Sequence, residues 1–191
     1  MLSKSRVEAF SDGVIAIIIT IMAFELKIPE LSQSFSSQEV SEALVKVIPK
    51  VLSYTLSFVV VGILWLNHHT MFDKIPHVGT KLIWHNLFLL FAMSLIPMPT
   101  SFLASYPLLP QAVMFYGFIM FLNAFGFLIL RRYVEIHAKL IPYNSTIQKS
   151  NWISCSLYLL SIPLALVSVY LSFFIFIGIP LWYFLPDRFH K

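Results

Sequence analysis

Long apolar runs alternate with short polar breaks along the whole chain. A helix that crosses a bilayer needs about 20 apolar residues. Stretches 7–29, 48–72, 81–104, 111–131, 151–170 and 172–186 approach or reach that length, so the pattern predicts six spanning helices in one domain over 1–191. The last is short and ends at Pro186, and almost nothing separates it from the fifth, which predicts a tight hairpin or a broken pair. Two connections are longer. Residues 30–47 set Glu39, Glu42 and Lys46 around Val40, Leu44 and Val45, the pattern of a short amphipathic surface helix. Residues 132–150 are basic and contain Pro142, Tyr143, Asn144 and Ser145, a turn signal.

Composition sharpens this into a class. Of 191 residues, 58% are hydrophobic and 12% charged, against roughly 25% charged in an ordinary soluble domain. Mean hydropathy is +0.81. The expectation is an all-α integral membrane protein whose first partner is the lipid bilayer. The net charge of +4 does not point to nucleic acid, because its placement follows topology. With the N-terminus inside, ten of the 13 Lys and Arg residues fall in inside segments, and Lys27, Lys46 and Lys50 fall outside. The positive-inside rule then predicts both termini in the cytoplasm. Cys155 is the single cysteine and lies in an apolar run, an inert buried thiol with no partner for a disulfide. The first apolar run is too long, and lacks the small-residue cleavage site, for a cleavable signal peptide.

The first helix opens with unusual chemistry. Arg6, Glu8, Ser11 and Asp12 stand at its mouth, directly before the run Val14 to Phe24. A charge at membrane depth costs about 2.5–3.5 kcal/mol on insertion scales, so such groups tend to be functional. At 100° per residue, Phe10, Gly13, Ile17, Thr20, Ile21, Phe24 and Ile28 share one stripe, with Glu8 and Asp12 on the other side. That stripe suits lipid contact or helix packing, and equally an apolar pore lining that gates by dewetting. Periodicity alone leaves both open.

A second cluster follows from topology. Trp65, Asn67, His68 and His69 end the second helix on the same side that Trp84, His85 and Asn86 begin the third, at the depth of Arg6, Ser11 and Asp12. Polar groups in hydrocarbon need partners, so a hydrogen-bonded network is expected to fix the first helix against the second and third. His77, His137 and His190 read as interface histidines. Adjacent histidines point about 100° apart on a helix and carry no cysteine or carboxylate at ligand spacing, so no metal site is expected. Pro97, Pro99, Pro163 and Pro180 are expected to kink their helices.

Arg6, Phe10, Ser11, Asp12 and Gly13, spaced R-x-x-x-F-S-D-G before a spanning helix, resemble the transmembrane protein 175 family. Trp65, Asn67 and His68, then Asn86 within Asn-Leu-Phe-Leu-Leu-Phe, then Leu95, Ile96 and Pro97 agree with it, and the resemblance covers the whole chain. These are potassium channels of bacteria and archaea with a two-repeat relative in animal endosomes and lysosomes. The resemblance implies a homotetramer in the cell membrane, with the first helix around a central pore, permeant potassium ions and no cofactor. It places apolar rings at Ile17, Ile21 and Phe24, with Thr20 one turn above Ile17. An ion passing Ile17 would shed part of its shell with no charged ligand in exchange, and potassium holds its water less tightly than sodium does. Phe24 departs from the leucine common at the third ring and is expected to narrow that end of the pore. Rival readings are a proton-coupled carrier using Asp12 and His68, a membrane enzyme, and a structural protein without flux. No nucleophile–base pair or phosphate-cradling glycine loop supports the enzyme, and no internal repeat supports an inverted-repeat carrier.

Overall fold

The computed structural model describes residues 3–27 and 36–183. It is helical throughout: α1 (Lys4–Phe24), α2 (Ser37–Lys74), α3 (Thr80–Ser94), α4 (Pro97–Ser105), α5 (Pro110–Arg132), a π-helical turn (Tyr133–His137), α6 (Ser145–Val167) and α7 (Val169–Tyr183). Among the described residues, five stretches are long and apolar enough to cross a membrane: α1, α2, α3 with α4, α5 with its π turn, and α6. α7 is the shorter sixth, at 15 residues. The chain is therefore a multi-pass membrane protein.

Three boundaries differ from the sequence pattern, each for a local reason. The expected surface helix is instead the start of α2, which runs unbroken for 38 residues from Ser37. Residues 30–35 of that expectation lie outside the described residues. Ser36 caps the helix by accepting from the Glu39 backbone N–H at 3.2 Å, an N-cap bond. Gln38 then reaches Glu42 one turn on at 3.2 Å. Nothing breaks helical spacing before Pro49, which the helix absorbs.

The third span breaks in two at Leu95 and Ile96. Their N–H groups bond back three residues, to Ala92 at 3.3 Å and Met93 at 3.0 Å. Pro97 has no N–H to give Met93, so Ile96 takes that carbonyl and Pro97 starts α4. Pro163 and Pro180 lie inside α6 and α7 without ending them. Finally, α6 and α7 meet at Ser168 alone, whose extended backbone turns the chain. The Ser172 hydroxyl donates to the Ser161 carbonyl at 2.7 Å, so the two helices form an antiparallel hairpin.

The core centres on α5, which packs on α6 and α3. Close approach explains the small residue at Gly117: a Cβ there would lie 2.6 Å from the Ser161 hydroxyl. Tyr116, fully buried, joins α5 to α2 and α4 through Ser57. The Ser57 hydroxyl lies 3.1 Å from the Tyr116 hydroxyl and 2.8 Å from that of Thr100. This leaves α1 packed on one side of the bundle, against α2, α3 and α4.

Candidate pore helix and its polar anchor

α1 is two-faced in burial although its length from Val14 to Phe24 is almost wholly apolar. Val7, Ser11, Ile15, Ile18 and Met22 recur at helical spacing and are buried. The opposite stripe is bare. Ile17 is 60% exposed, Ile21 47%, Phe24 71% and Phe10 54%, with Gly13 and Thr20 also exposed. Ile28 lies outside the described residues. The Thr20 hydroxyl donates to the Ala16 carbonyl at 2.8 Å. Its proton is thus spent within the helix, and its oxygen lone pairs face outward as acceptors.

The N-terminal half of α1 is held by a buried relay across three helices. Ser11 on α1 gives its proton to the Val7 carbonyl at 2.8 Å. Its oxygen must therefore accept from the Asn86 amide of α3, 2.9 Å away. That fixes the amide: Asn86 Oδ1 faces His68 Nε2 of α2 at 2.7 Å, so His68 donates from Nε2. All three residues are at most 2% exposed. His68 also stacks on Phe72, with ring centroids 4.2 Å apart.

A second tie runs along the flank of α1, where the Trp65 indole N–H donates to Asp12 at 2.9 Å. At the two ends, Lys4 donates to the Asp73 carbonyl at 3.1 Å and Glu25 accepts from the Ser101 hydroxyl at 2.8 Å.

The expected network is thus divided. Ser11, Asn86 and His68 meet, and Asp12 meets Trp65. Asp12 does not meet Arg6 or the histidines: Arg6 points outward and has no side-chain partner among the described residues. Glu8 pairs with Lys4 at 3.6 Å. Asn67 and His85 satisfy carbonyls of their own helices, those of Ile63 and Lys81. His69 stacks on Trp65, and Trp84 is exposed.

Sequence reasoning missed a buried node beyond α5. Arg131 contacts one Glu135 oxygen through Nε and Nη2, each at 2.8 Å, and Gln148 of α6 donates to the other at 2.8 Å. The i, i+4 spacing of Arg131 and Glu135 was the available signal. Among the described residues no group of three or more His, Cys, Asp or Glu is placed to hold a metal ion.

Comparison with known proteins fits this geometry. Residues 6–97 match the family described as endosomal/lysosomal potassium channel TMEM175. A potassium channel of Chryseobacterium sp. is 34% identical over 199 residues, covering 98% of this chain and 95% of the relative. The chain belongs to the TMEM175 family. TMEM175 is a family of ion channels, not of enzymes. A crystal structure of a lysosomal potassium-selective channel TMEM175 homolog from Chamaesiphon minutus superposes with a TM-score of 0.81 at 28% identity, over 94% of this chain and 95% of that one. The human endosomal/lysosomal proton channel TMEM175 is 43% identical over 77 residues, 37% of this chain and 15% of that protein. The TMEM175 match thus includes α1, the end of α2 that grips it, and α3, which are the elements of the anchor.

Proposed function

We propose that four copies of the chain assemble with their α1 helices around a common axis and conduct potassium in preference to sodium across the cell membrane. The observation that carries this is the bare stripe of α1. Ile17, Thr20, Ile21 and Phe24 face away from their own subunit, while the other side of the helix is buried and hydrogen-bonded. Family membership and the potassium-channel relatives support the same reading. Basic residues concentrated in alternate segments support both termini in the cytoplasm.

In this arrangement Ile17, Ile21 and Phe24 form successive apolar rings. An ion at Ile17 exchanges no hydration water for a charged ligand, so the barrier follows the cost of dehydration and favours potassium. Thr20 oxygens, one turn along, accept the partly stripped ion. The relay of Ser11, Asn86 and His68 and the bond from Trp65 to Asp12 set the angle of α1, and hence the ring diameter.

The test is ion flux from liposomes holding the purified protein. Potassium flux above sodium flux is expected, and Ile17→Asn should raise total flux and reduce the preference. Unchanged current and selectivity in Ile17→Asn would remove Ile17 as the constriction. Saturating flux coupled to a proton gradient would replace the channel by a carrier. Because the human relative is named a proton channel, a pH-sensitive dye belongs inside the vesicles.

A further inference from the structure

A cavity inside the subunit lies between α2, α5, α6 and α7, with no residue of the pore helix in its wall. Its wall includes Ile63, Asn67, Asn123, Ala124, Asn151 and Tyr183, and most of the remainder is aliphatic or aromatic. Two of these side chains are buried without full partners. Asn123, 1% exposed, donates its amide to the Ala92 and Ile119 carbonyls at 3.0 and 2.8 Å. Only nitrogen can make those bonds, so Oδ1 is fixed as the atom left over, and it has no protein partner among the described residues. Asn151, 4% exposed, has Oδ1 3.5 Å from the Tyr183 hydroxyl, while its Nδ2 has no partner. The residues that carry this buried acceptor and this buried donor both line the one cavity. In hydrocarbon such atoms are costly to leave unmade.

We propose that this cavity is a binding site for a small neutral molecule with one hydroxyl group and a short carbon tail, a two- to four-carbon alcohol. A hydroxyl donates to Asn123 Oδ1 and accepts from Asn151 Nδ2, a pairing that neither a hydrocarbon nor an anion supplies. No charged side chain lines the cavity, which favours a neutral occupant. Its volume of about 50 Å³ exceeds the roughly 10–15 Å³ that one water requires, and its apolar wall suits a tail better than more water. The site adjoins the anchor: Val60, Ile63, Leu64 and Asn67 form its α2 wall, and Trp65 and His68 beside Leu64 and Asn67 hold α1. An occupant thus presses on the stretch of α2 that sets the pore helix. This last step rests on the channel reading; the site itself does not.

The experiment uses the full chain in lipid nanodiscs, with 2,2,2-trifluoroethanol as the probe and fluorine NMR as the readout. Saturable line broadening, displaced by 1-propanol, is expected. Asn123→Leu should weaken binding about tenfold, the equivalent of one lost hydrogen bond. Because that amide also ties α5 to α3, the variant can fail to fold. Ala124→Leu fills the cavity without removing a polar group and should abolish the saturable signal. A non-saturable response, or one unchanged in Ala124→Leu, means partition into lipid or a site that holds water alone, and overturns the proposal. Potassium flux, measured in parallel, should respond to 1-propanol in the wild type and not in Ala124→Leu. Saturable binding without a flux response would overturn the coupling to the pore and leave the site.

Discussion

Replacing Asn86 by leucine removes the middle of the relay while nearly keeping its volume. Two bonds disappear, to Ser11 at 2.9 Å and to His68 at 2.7 Å. The consequences differ at the two ends. Ser11 still donates to Val7, so its loss is an ordinary hydrogen bond, about 0.5–1.5 kcal/mol. His68 is 2% exposed, and its Nε2–H is left without an acceptor, which costs about 1–3 kcal/mol. The sum is about 1.5–4.5 kcal/mol. At roughly 2–4 °C per kcal/mol for a chain of this size, Asn86→Leu should melt roughly 3–18 °C below the wild type by near-ultraviolet circular dichroism in detergent. Ser11→Ala should cost less, about 1–2 kcal/mol, because His68 keeps its partner. The double variant should fall short of the sum by about 1 kcal/mol, since both changes break the same bond. An Asn86→Leu protein melting within about 1 °C of the wild type, or a strictly additive double variant, would refute the relay as the element that holds α1.

Asp12→Ala should lower potassium flux or the yield of assembled protein, and Trp65→Phe should reproduce it, because each removes the same 2.9 Å bond; Asp12→Asn, which keeps the accepting oxygen, should stay near wild type. Gly117→Ala should destabilise by about 1–3 kcal/mol through overpacking, and adding Ser161→Ala, which deletes the atom 2.6 Å from the new methyl, should restore most of the melting temperature. Glu135→Leu should cost about 3–5 kcal/mol because it leaves Arg131 buried and unpaired; an unchanged melting temperature would show that water reaches the guanidinium. Phe24→Leu should raise single-channel conductance in planar bilayers if that ring narrows the pore, and equal conductance would place the narrowing elsewhere.

The membrane class was legible from the length of the apolar runs and the composition, and the two faces of α1 from periodicity. Burying Val7, Ser11, Ile15, Ile18 and Met22 leaves Ile17, Ile21 and Phe24 outside by geometry alone. The depth of the polar cluster was legible too, since helix ends fix depth. Which side chains meet was not. Asp12 turns to Trp65 and not to Arg6, because rotation about α1 and the packing of α2 decide the partner, and neither is written in spacing. The length of α2 was hidden by its polar first turns, which read as a separate surface helix although the cap at Ser36 belongs to α2 itself. The break at Leu95 and Ile96 depends on which carbonyl Pro97 gives up. Asn123 and Asn151 are far apart in sequence, so the cavity they share emerges only in three dimensions.

The single-residue turn at Ser168 bears on where the hairpin can end in the bilayer. At 1.5 Å per residue, the 15 residues of α7 rise about 22 Å, less than the roughly 30 Å of hydrocarbon. Its partner α6 is 23 residues long. The turn satisfies its own backbone: the Ser168 N–H donates to Leu164 at 2.8 Å and its carbonyl accepts from Leu171 at 3.2 Å. A closed tip of this kind keeps the Ser168 peptide groups paired wherever the turn sits in the bilayer. The short α7 can therefore stop short of a full crossing without leaving the turn's backbone bare to hydrocarbon. Lengthening that tip by a few glycines would add peptide groups that the turn cannot pair, and so tie the hairpin's end to water.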